Sequence, residues 1–373
     1  MALFDSENHI LRRGIVSRME RSFFPYQGWP TVAISPDGTL YVASSSFRMA
    51  HVCPFGKNVL FTSRDGGVTW SPPSVVNDDF LDDRDTGILC LGENRLLLTW
   101  FSHPASLYRE NYRDWIRNDS GPVGEAMLEL YGELPPEQAA GGSFLKLSAD
   151  GGVTWSDPIR VPVSTPHGPI RLKDGRLLYF GKEMYSDGCE MPDVIAAYES
   201  RDQGVTWDRL GLCEKPADLP WDLFHEPHVC ELPGGTLFGM IRAERHGEYR
   251  SFTMFSTASK DGGRTWTPWR PTGVSGSPPH LLRHSSGALI CSFGRREPPY
   301  GERAIVSYDG GSTWEDEYVL DGSAKDGDLG YPSSVELPDG SIMTVYYQKY
   351  VSPDGKSDPF TSILYTVWRL KHA

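Results

Sequence analysis

The sequence predicts an all-β chain, a six-bladed β-propeller of four-stranded antiparallel blades with a partly helical insertion around residues 103–142. Two interleaved repeats and a pair of terminal strands predict it. The first repeat is SRDGGVTW from Ser63, followed by SADGGVTW from Ser148, SRDQGVTW from Ser200, SKDGGRTW from Ser259 and SYDGGSTW from Ser307. The shared frame is Ser-x-Asp-x-Gly-x-Thr-Trp, and recurrence at a long period marks a repeat architecture. In each copy the Asp can accept hydrogen bonds from backbone N–H groups of its own turn. The Gly suits a positive φ, the Thr favours a strand, and the Trp anchors the turn by burying its ring. The motif therefore reads as a structural turn pinned to its own sheet, without chemistry of its own.

The second repeat runs in antiphase. It reads WPTVAISPDGTLYVAS from Trp29, TGILCLGENRLLLTW from Thr86 and HGPIRLKDGRLLYFG from His167. It continues as EPHVCELPGGTLFGMIR from Glu226, PPHLLRHSSGALICSFG from Pro278 and YPSSVELPDGSIMTVYY from Tyr331. Each copy is an apolar run, a Gly-containing turn and a second apolar run, which is the signature of a hairpin. Hairpins and pinned turns in alternation predict blades repeated radially around an axis. The last blade has no Asp turn. The apolar run ILYTVWRL near the C-terminus supplies one of its strands, and HILRRGIVSR near the N-terminus supplies its outermost one, closing the ring. Residues 1–373 then form a single propeller domain with no linker.

The Asp residues of the turns, Asp65, Asp150, Asp202, Asp261 and Asp309, are 85, 52, 59 and 48 residues apart. The first interval is about 30 residues too long for one blade repeat. The excess lies between His103 and Gly142, where Leu107, Tyr108, Tyr112, Trp115 and Ile116 approach helical spacing. Such an insertion is either a lid over the propeller mouth or a packing appendage on its rim.

Composition excludes some classes. A hydrophobic content of 39% and an aromatic content of 12% supply a large core. A net charge of −13 argues against nucleic acid or an anionic membrane as partner. The cysteines, Cys53, Cys90, Cys189, Cys213, Cys230 and Cys291, form no CxxC pair and read as reduced, buried and inert. The start MALFDSENHILRRG has no apolar core of a signal peptide, which sets the expectation of a cytoplasmic protein that meets small saccharides.

In a propeller the innermost strands converge on the mouth, so the first residues of the hairpins are site candidates. They are Trp29, the run Asp83-Arg84-Asp85, His167, the run His225-Glu226-Pro227-His228, His280 and Tyr331. Arg48 and His51 lie on the connection leaving the first hairpin. A metal held by converging histidines is an open alternative, but no spacing matches a known ligand motif, and HEPH lacks the helical geometry of HExxH. No metal or cofactor is expected.

The repeated Asp turns and antiphase hairpins resemble the sialidase superfamily of six-bladed propellers over nearly the whole chain. In that family a Glu opens one hairpin and an Arg closes it, as Glu226 and Arg242 do here. A second Arg lies upstream of an Asp turn, as Arg303 does, and a Tyr opens the last hairpin, as Tyr331 does. The resemblance implies Tyr331 as nucleophile, Glu226 as the base that polarises its hydroxyl, and Arg242 and Arg303 as ligands of a substrate carboxylate. A neutral phenol approaches an anomeric carbon bearing a carboxylate without the repulsion a second carboxylate would meet, and sialidases depart from the two-carboxylate scheme in this way. Arg suits the carboxylate because its planar fork binds in two places.

The chain departs from the family at one point. The family's first hairpin begins Arg-Ile-Pro, and that Arg completes the carboxylate-binding triad; the aligned residues here are Gly28-Trp29-Pro30. Either Arg48 reaches in, the sugar differs, or the chemistry differs. His51, which can exchange protons near neutral pH, and Asp85 are the candidate proton shuttles. The expectation is a glycoside hydrolase acting on a terminal acidic sugar of a small glycan. Tyr331, Glu226, His51 and Asp85 are its catalytic candidates, and Arg242, Arg303, Arg48, Arg84, His167 and His225 its substrate-binding ones. A uronate-directed lyase using His and Tyr, and a non-catalytic carbohydrate-binding propeller, are the alternatives.

Overall fold

The computed structural model of the chain describes residues 7–185, 193–245 and 251–371. Cys189 lies outside them. The strands form six four-stranded antiparallel sheets. β1 (Ile10–Ser17) comes first in the chain but belongs to the last blade. Blade 1 is β2 (Tyr26–Ile34), β3 (Leu40–Arg48), β4 (Lys57–Ser63) and β5 (Ser74–Asn77). Blade 2 is β6 (Asp83–Gly92), β7 (Arg95–Ser102), β8 (Gly142–Ser148) and β9 (Ile159–Val161). Blade 3 is β10 (Ile170–Arg171), β11 (Leu177–Lys182), β12 (Ile195–Ser200) and β13 (Asp208–Leu212). Blade 4 is β14 (Phe224–Glu231), β15 (Leu237–Arg245), β16 (Ser251–Ser259) and β17 (Arg270–Ser275). Blade 5 is β18 (His280–Arg283), β19 (Leu289–Arg295), β20 (Gly301–Ser307) and β21 (Glu315–Asp321). Blade 6 is β22 (Gly330–Glu336), β23 (Ile342–Val351) and β24 (Ser357–Trp368), and β1 pairs with β24 as its outer strand. The two ends of the chain therefore meet in one sheet and close the ring.

The Asp turns have the expected internal geometry. Asp65 accepts from the backbone N–H of Val68 and Thr69 at 3.0 Å and from the Thr69 hydroxyl at 2.6 Å, while Ser63 accepts from Gly67 N–H at 2.9 Å. Gly67 needs its φ of +85°, and a Cβ there would strike Met343 of blade 6. The tryptophans correct one expectation. They do not pin each turn to its own sheet alone; they pack against the preceding blade. Trp70 faces Tyr365 of blade 6, Trp266 stacks on Phe180 of blade 3 at 4.4 Å between centroids, and Trp314 faces Phe238 of blade 4. Trp155 joins Tyr41 and Leu60 of blade 1, and Trp207 joins Leu97 and Leu145 of blade 2. A twisted blade leaves an apolar wedge between itself and its neighbour, and the indole is the side chain large enough to fill it.

The cysteines of the described residues are free thiols. Cys53, Cys213, Cys230 and Cys291 are buried, and Cys90 is only half-buried, which corrects the expectation for that residue.

The axis itself is polar. The rings of His167, His228 and His280 meet there, with centroids 4.5–5.5 Å apart. His228 Nδ1 accepts from Leu281 N–H at 2.9 Å and His280 Nδ1 from Ser334 N–H at 3.3 Å, so each ties its blade to the next. Burial pushes all three imidazoles well below their ordinary range, His228 to about 3. A histidine whose folded value is depressed binds its proton mainly in the unfolded chain. Its stabilising effect is therefore complete above about pH 6.5 and is lost as the pH falls. Each of the three costs about 1.4 kcal/mol per pH unit below that point. Denaturant unfolding at pH 7.5, 6.5 and 5.5 should show stability level across the first step and falling steeply across the second. Other histidines with depressed values add to the slope, and a His280→Gln variant should make it shallower by one histidine's share, about 1.4 kcal/mol per pH unit.

Candidate active site

Four innermost strands open with a residue in the left-handed region: Trp29 (φ 51°), Asp85 (φ 52°), Glu226 (φ 49°) and Tyr331 (φ 51°). At each of these points the strand pairing slips, between Gly28 and Thr31, Arg84 and Gly87, His225 and His228, and Gly330 and Ser333. Such bulges re-aim side chains. A non-glycine residue held at positive φ costs on the order of 1–3 kcal/mol and survives where the surroundings over-determine it. All but Asp85 are followed by proline (Pro30, Pro227 and Pro332).

Asp85, Glu226 and Tyr331 line a cavity of about 1020 Å³, together with His51, Arg84, Lys182, His225, Arg242, Arg296 and Asp328. Tyr331 donates its hydroxyl to Glu226 Oε1 at 2.5 Å. Arg242 donates to Glu226 Oε2, to the Tyr331 oxygen at 3.0 Å and to Glu244. Burial works against a charge on Glu226, but the Arg242 guanidinium and the Tyr331 hydroxyl hold it below the ordinary carboxylate range. Burial and the Glu226 charge push the Tyr331 phenol well up, so it is neutral until a base takes its proton. Glu226 is placed to be that base. Asp85 is raised to about 7 by burial and by the Glu226 charge. Around neutral pH it holds a proton it can give.

Arg296 stands over the Tyr331 ring at 5.7 Å and the Phe252 ring at 5.3 Å. It donates to Gly327 O at 3.3 Å and to the Tyr347 hydroxyl at 3.2 Å, and among the described residues it makes no ion pair with a carboxylate. Lys182 Nζ lies 3.0 Å from His225 Nδ1 and 3.4 Å from Asp193. Burial lowers Lys182, and burial with the Lys182 charge lowers His225 to about 4.

Three of the sequence-derived binding residues lie elsewhere. Arg303 is buried at the start of β20, where it donates to the carbonyls of Pro299, Tyr300, Glu302 and Asp321. The guanidinium of blade 5 that reaches the cavity is Arg296. A signal for it existed. Arg296 follows the second strand of its blade, whose end faces the mouth, as does the end of β15 that carries Arg242. Arg48 is fully buried and paired with Asp82, so it does not reach in. His167 belongs to the axial cluster beneath the cavity. Arg84 does line the cavity, paired with Asp82 at 3.2 Å.

A Cβ on Gly28 would meet Tyr26 at 3.4 Å and Tyr347 at 3.9 Å. The next residue, Trp29, is 1% exposed, with Arg48 over its ring at 4.6 Å and Arg84 at 4.2 Å. An indole flanked by two guanidiniums is thus packed behind the cavity-lining residues His51, Arg84 and Tyr331.

Sequence reasoning also missed Asp328, Tyr26 and Glu244. Asp328 Oδ1 accepts from Tyr26 at 2.9 Å and Tyr347 at 3.3 Å and lies 3.1 Å from His51 Nδ1. It sits three residues before Tyr331, in a loop where the sequence pattern carries no periodic signal.

The insertion is both of the things considered for it. Its helices are α1 (Ala105–Glu110), α2 (Arg113–Gly132) and α3 (Pro136–Ala139). Tyr108, Ile116, Leu128 and Tyr131 bury an apolar face against Val52 and Leu81. Trp115, 49% exposed, lines the cavity with Asn118 and Asp119. Among the described residues no group of three or more His, Cys, Asp or Glu is arranged to hold a metal ion.

The fold is shared with several solved structures. A protein of unknown function from Dyadobacter fermentans is 22% identical, with 97% of this chain and 99% of that one covered and a TM-score of 0.74. The NanB sialidase from Streptococcus pneumoniae is 14% identical, with 95% of this chain and 70% of that one covered and a TM-score of 0.70. An alpha-L-arabinanase from Penicillium chrysogenum is 16% identical, with 98% and 99% covered and a TM-score of 0.63. At these identities the likeness is one of fold. No curated protein matches the chain. The family model of the BNR/Asp-box repeat matches residues 61–72, and that of the BNR repeat-like domain matches residues 130–344. With more than half its length matched, this six-bladed, sialidase-like propeller belongs to the BNR repeat-like domain family.

Proposed function

We propose that the protein is a glycoside hydrolase that removes a terminal acidic sugar from a small glycan. The observation that carries this reading is the 2.5 Å contact between the Tyr331 hydroxyl and Glu226, beside a guanidinium, Arg296, that makes no ion pair with a carboxylate. Glu226 takes the Tyr331 proton as the phenolic oxygen attacks the anomeric carbon. Asp85 gives its proton to the departing glycosidic oxygen. Arg296 holds the sugar's carboxylate, with Arg242 beside it. Trp115 gives the leaving portion an apolar surface to rest on.

A panel of aryl glycosides of sialic, glucuronic, rhamnosyl and neutral sugars tests this, with product absorbance followed in the ultraviolet. Cleavage of an acidic glycoside without an unsaturated product is expected. Cleavage of neutral sugars alone overturns the acidic substrate. An unsaturated product turns the reading to a lyase, which the cavity-lining His51 favours as the second possibility, since a neutral imidazole can abstract a proton beside a carboxylate. Binding without turnover leaves a lectin. On the cleaved glycoside, Arg296→Ala should raise KM about 10- to 100-fold, the value of one charge-assisted hydrogen-bonded contact. A neutral glycoside should be indifferent to that change.

A further inference from the structure

His51 lines the cavity on the loop that leaves blade 1. Its surroundings decide where its proton sits. Nδ1 lies 3.1 Å from Asp328 Oδ1 and 3.0 Å from the Tyr26 hydroxyl. Tyr26 has one proton and gives it to Asp328, at 2.9 Å. Were Nδ1 unprotonated, its lone pair would oppose a carboxylate oxygen at hydrogen-bond distance. Nδ1 therefore carries the proton, and Nε2, on the opposite edge of the ring, carries a lone pair. Burial holds the ring neutral against the pull of Asp328, and the Arg84 and Arg296 charges act in the same sense. Asp328 stays ionised, its carboxyl lowered to about 2 because the hydrogen bonds from His51 and Tyr26 outweigh its burial. Trp29 fixes the ring plane from the side, at 5.2 Å and 79°.

We propose that Asp328 and Tyr26 are positioning residues that make His51 the base of the second half of the reaction, so that proton donation and proton removal fall to two different residues. The inference rests on the hydrolase reading for its kinetic half. In the first half, Asp85 protonates the leaving oxygen, the glycosidic bond breaks and a sugar–Tyr331 bond forms, with the phenolic proton on Glu226. In the second half, water attacks the anomeric carbon and gives its proton to His51 Nε2. The sugar–Tyr331 bond breaks, and the phenolic oxygen recovers its proton from Glu226. The cycle closes when His51 loses its proton and Asp85 regains one through solvent. A histidine whose tautomer an Asp fixes is the arrangement general-base catalysis uses elsewhere.

The test has two arms. In ¹⁵N-histidine-labelled protein, with His51 assigned through a His51→Gln variant, the wild type should show an Nδ1–H tautomer near neutral pH. An Asp328→Asn variant should shift it toward Nε2–H. A wild-type His51 protonated on Nε2, or a spectrum unmoved by Asp328→Asn, overturns the clamp whether or not any glycoside is cleaved. The kinetic arm uses the aryl glycoside that the panel selects. Asp328→Asn should slow steady-state turnover on the order of 10²–10⁴-fold. It should leave a rapid first release of one aryl alcohol per enzyme, and azide, a nucleophile that needs no base, should restore turnover. Loss of the initial burst, or no response to azide, overturns the role in the second half. If the wild type cleaves no glycoside, the hydrolase reading and the second-half role fall together, and the nitrogen spectra alone decide the clamp.

Discussion

A Tyr331→Phe variant is expected to lose between about 10³- and 10⁶-fold in kcat while keeping its fold. The change deletes a single oxygen. That oxygen is the one 2.5 Å from Glu226 and 3.0 Å from Arg242. Among the described residues no other hydroxyl on the innermost strands stands at a left-handed residue in the cavity lining beside a carboxylate. Glu226→Gln keeps an acceptor for the Tyr331 hydroxyl but cannot take its proton, and should cost about 10²–10⁴-fold. The two losses should not add, because each removes the same step. The pH profile gives a further check. Glu226 must be ionised and is held below its ordinary value, so activity should persist into mildly acid solution. Asp85 must be protonated and is raised to about 7, so activity should fall as pH rises through that value. An Asp85→Asn variant should lose this alkaline fall and slow most for aglycones that are poor leaving groups. Circular dichroism of the Tyr331→Phe protein and kcat across pH 4–9 measure all of this. Near-wild-type turnover in Tyr331→Phe would sink the Tyr–Glu reading.

The largest expected loss of stability comes from Asp82. This carboxylate is wholly buried and receives Arg48 in two places, Arg84 at 3.2 Å, Tyr108 at 2.5 Å and the Gly56 N–H at 3.0 Å. It therefore joins the blade 1 loop, the opening of blade 2 and the first helix of the insertion. Burial raises the cost of its charge, but the Arg48 and Arg84 guanidiniums hold it below its ordinary value. Asp82→Ala would strand two guanidiniums, and breaking a buried ion pair by removing one partner costs about 3–5 kcal/mol. Tyr108→Phe removes one hydrogen bond of the same network and should cost only about 1 kcal/mol. Urea denaturation of the three proteins at pH 7.5 would separate these values. The Asp82 variant should also lose substrate turnover, because Arg84, which Asp82 holds, lines the cavity, and Trp29 beneath it packs against His51. Equal midpoints for wild type and Asp82→Ala would mean that water replaces the carboxylate there.

Much of the architecture was legible because propellers advertise themselves locally. Each Asp turn is a closed set of hydrogen bonds within seven residues or so, and each hairpin declares its turn by glycine. The closing strand was expected because the last blade needed a fourth strand and HILRRGIVSR was the segment left to supply it, and Ile10–Ser17 pairs with β24 as that strand. The destination of the tryptophans was not, because a local motif does not say which neighbour its ring will meet.

The site divides along the same line. Glu226 and Tyr331 were candidates because they open hairpins that the ring brings to one mouth, and Arg242 was added only by the resemblance to the sialidase superfamily. Arg303 was misplaced and Arg296 missed because both flank the same end of the β19–β20 hairpin, and only the packing decides that Arg303 turns to backbone carbonyls while Arg296 turns into the cavity. Asp328 sits in a loop, and only the packing of blades 6 and 1 carries it to His51. The blades, their number and the residues that start their inner strands follow from periodicity and turn chemistry over short distances, which a sequence carries. Which side chains meet, which charges are paired and which proton sits where came from the packing of the blades. Those outcomes depend on distances between blades that are remote in the chain, and on how much water each group has lost.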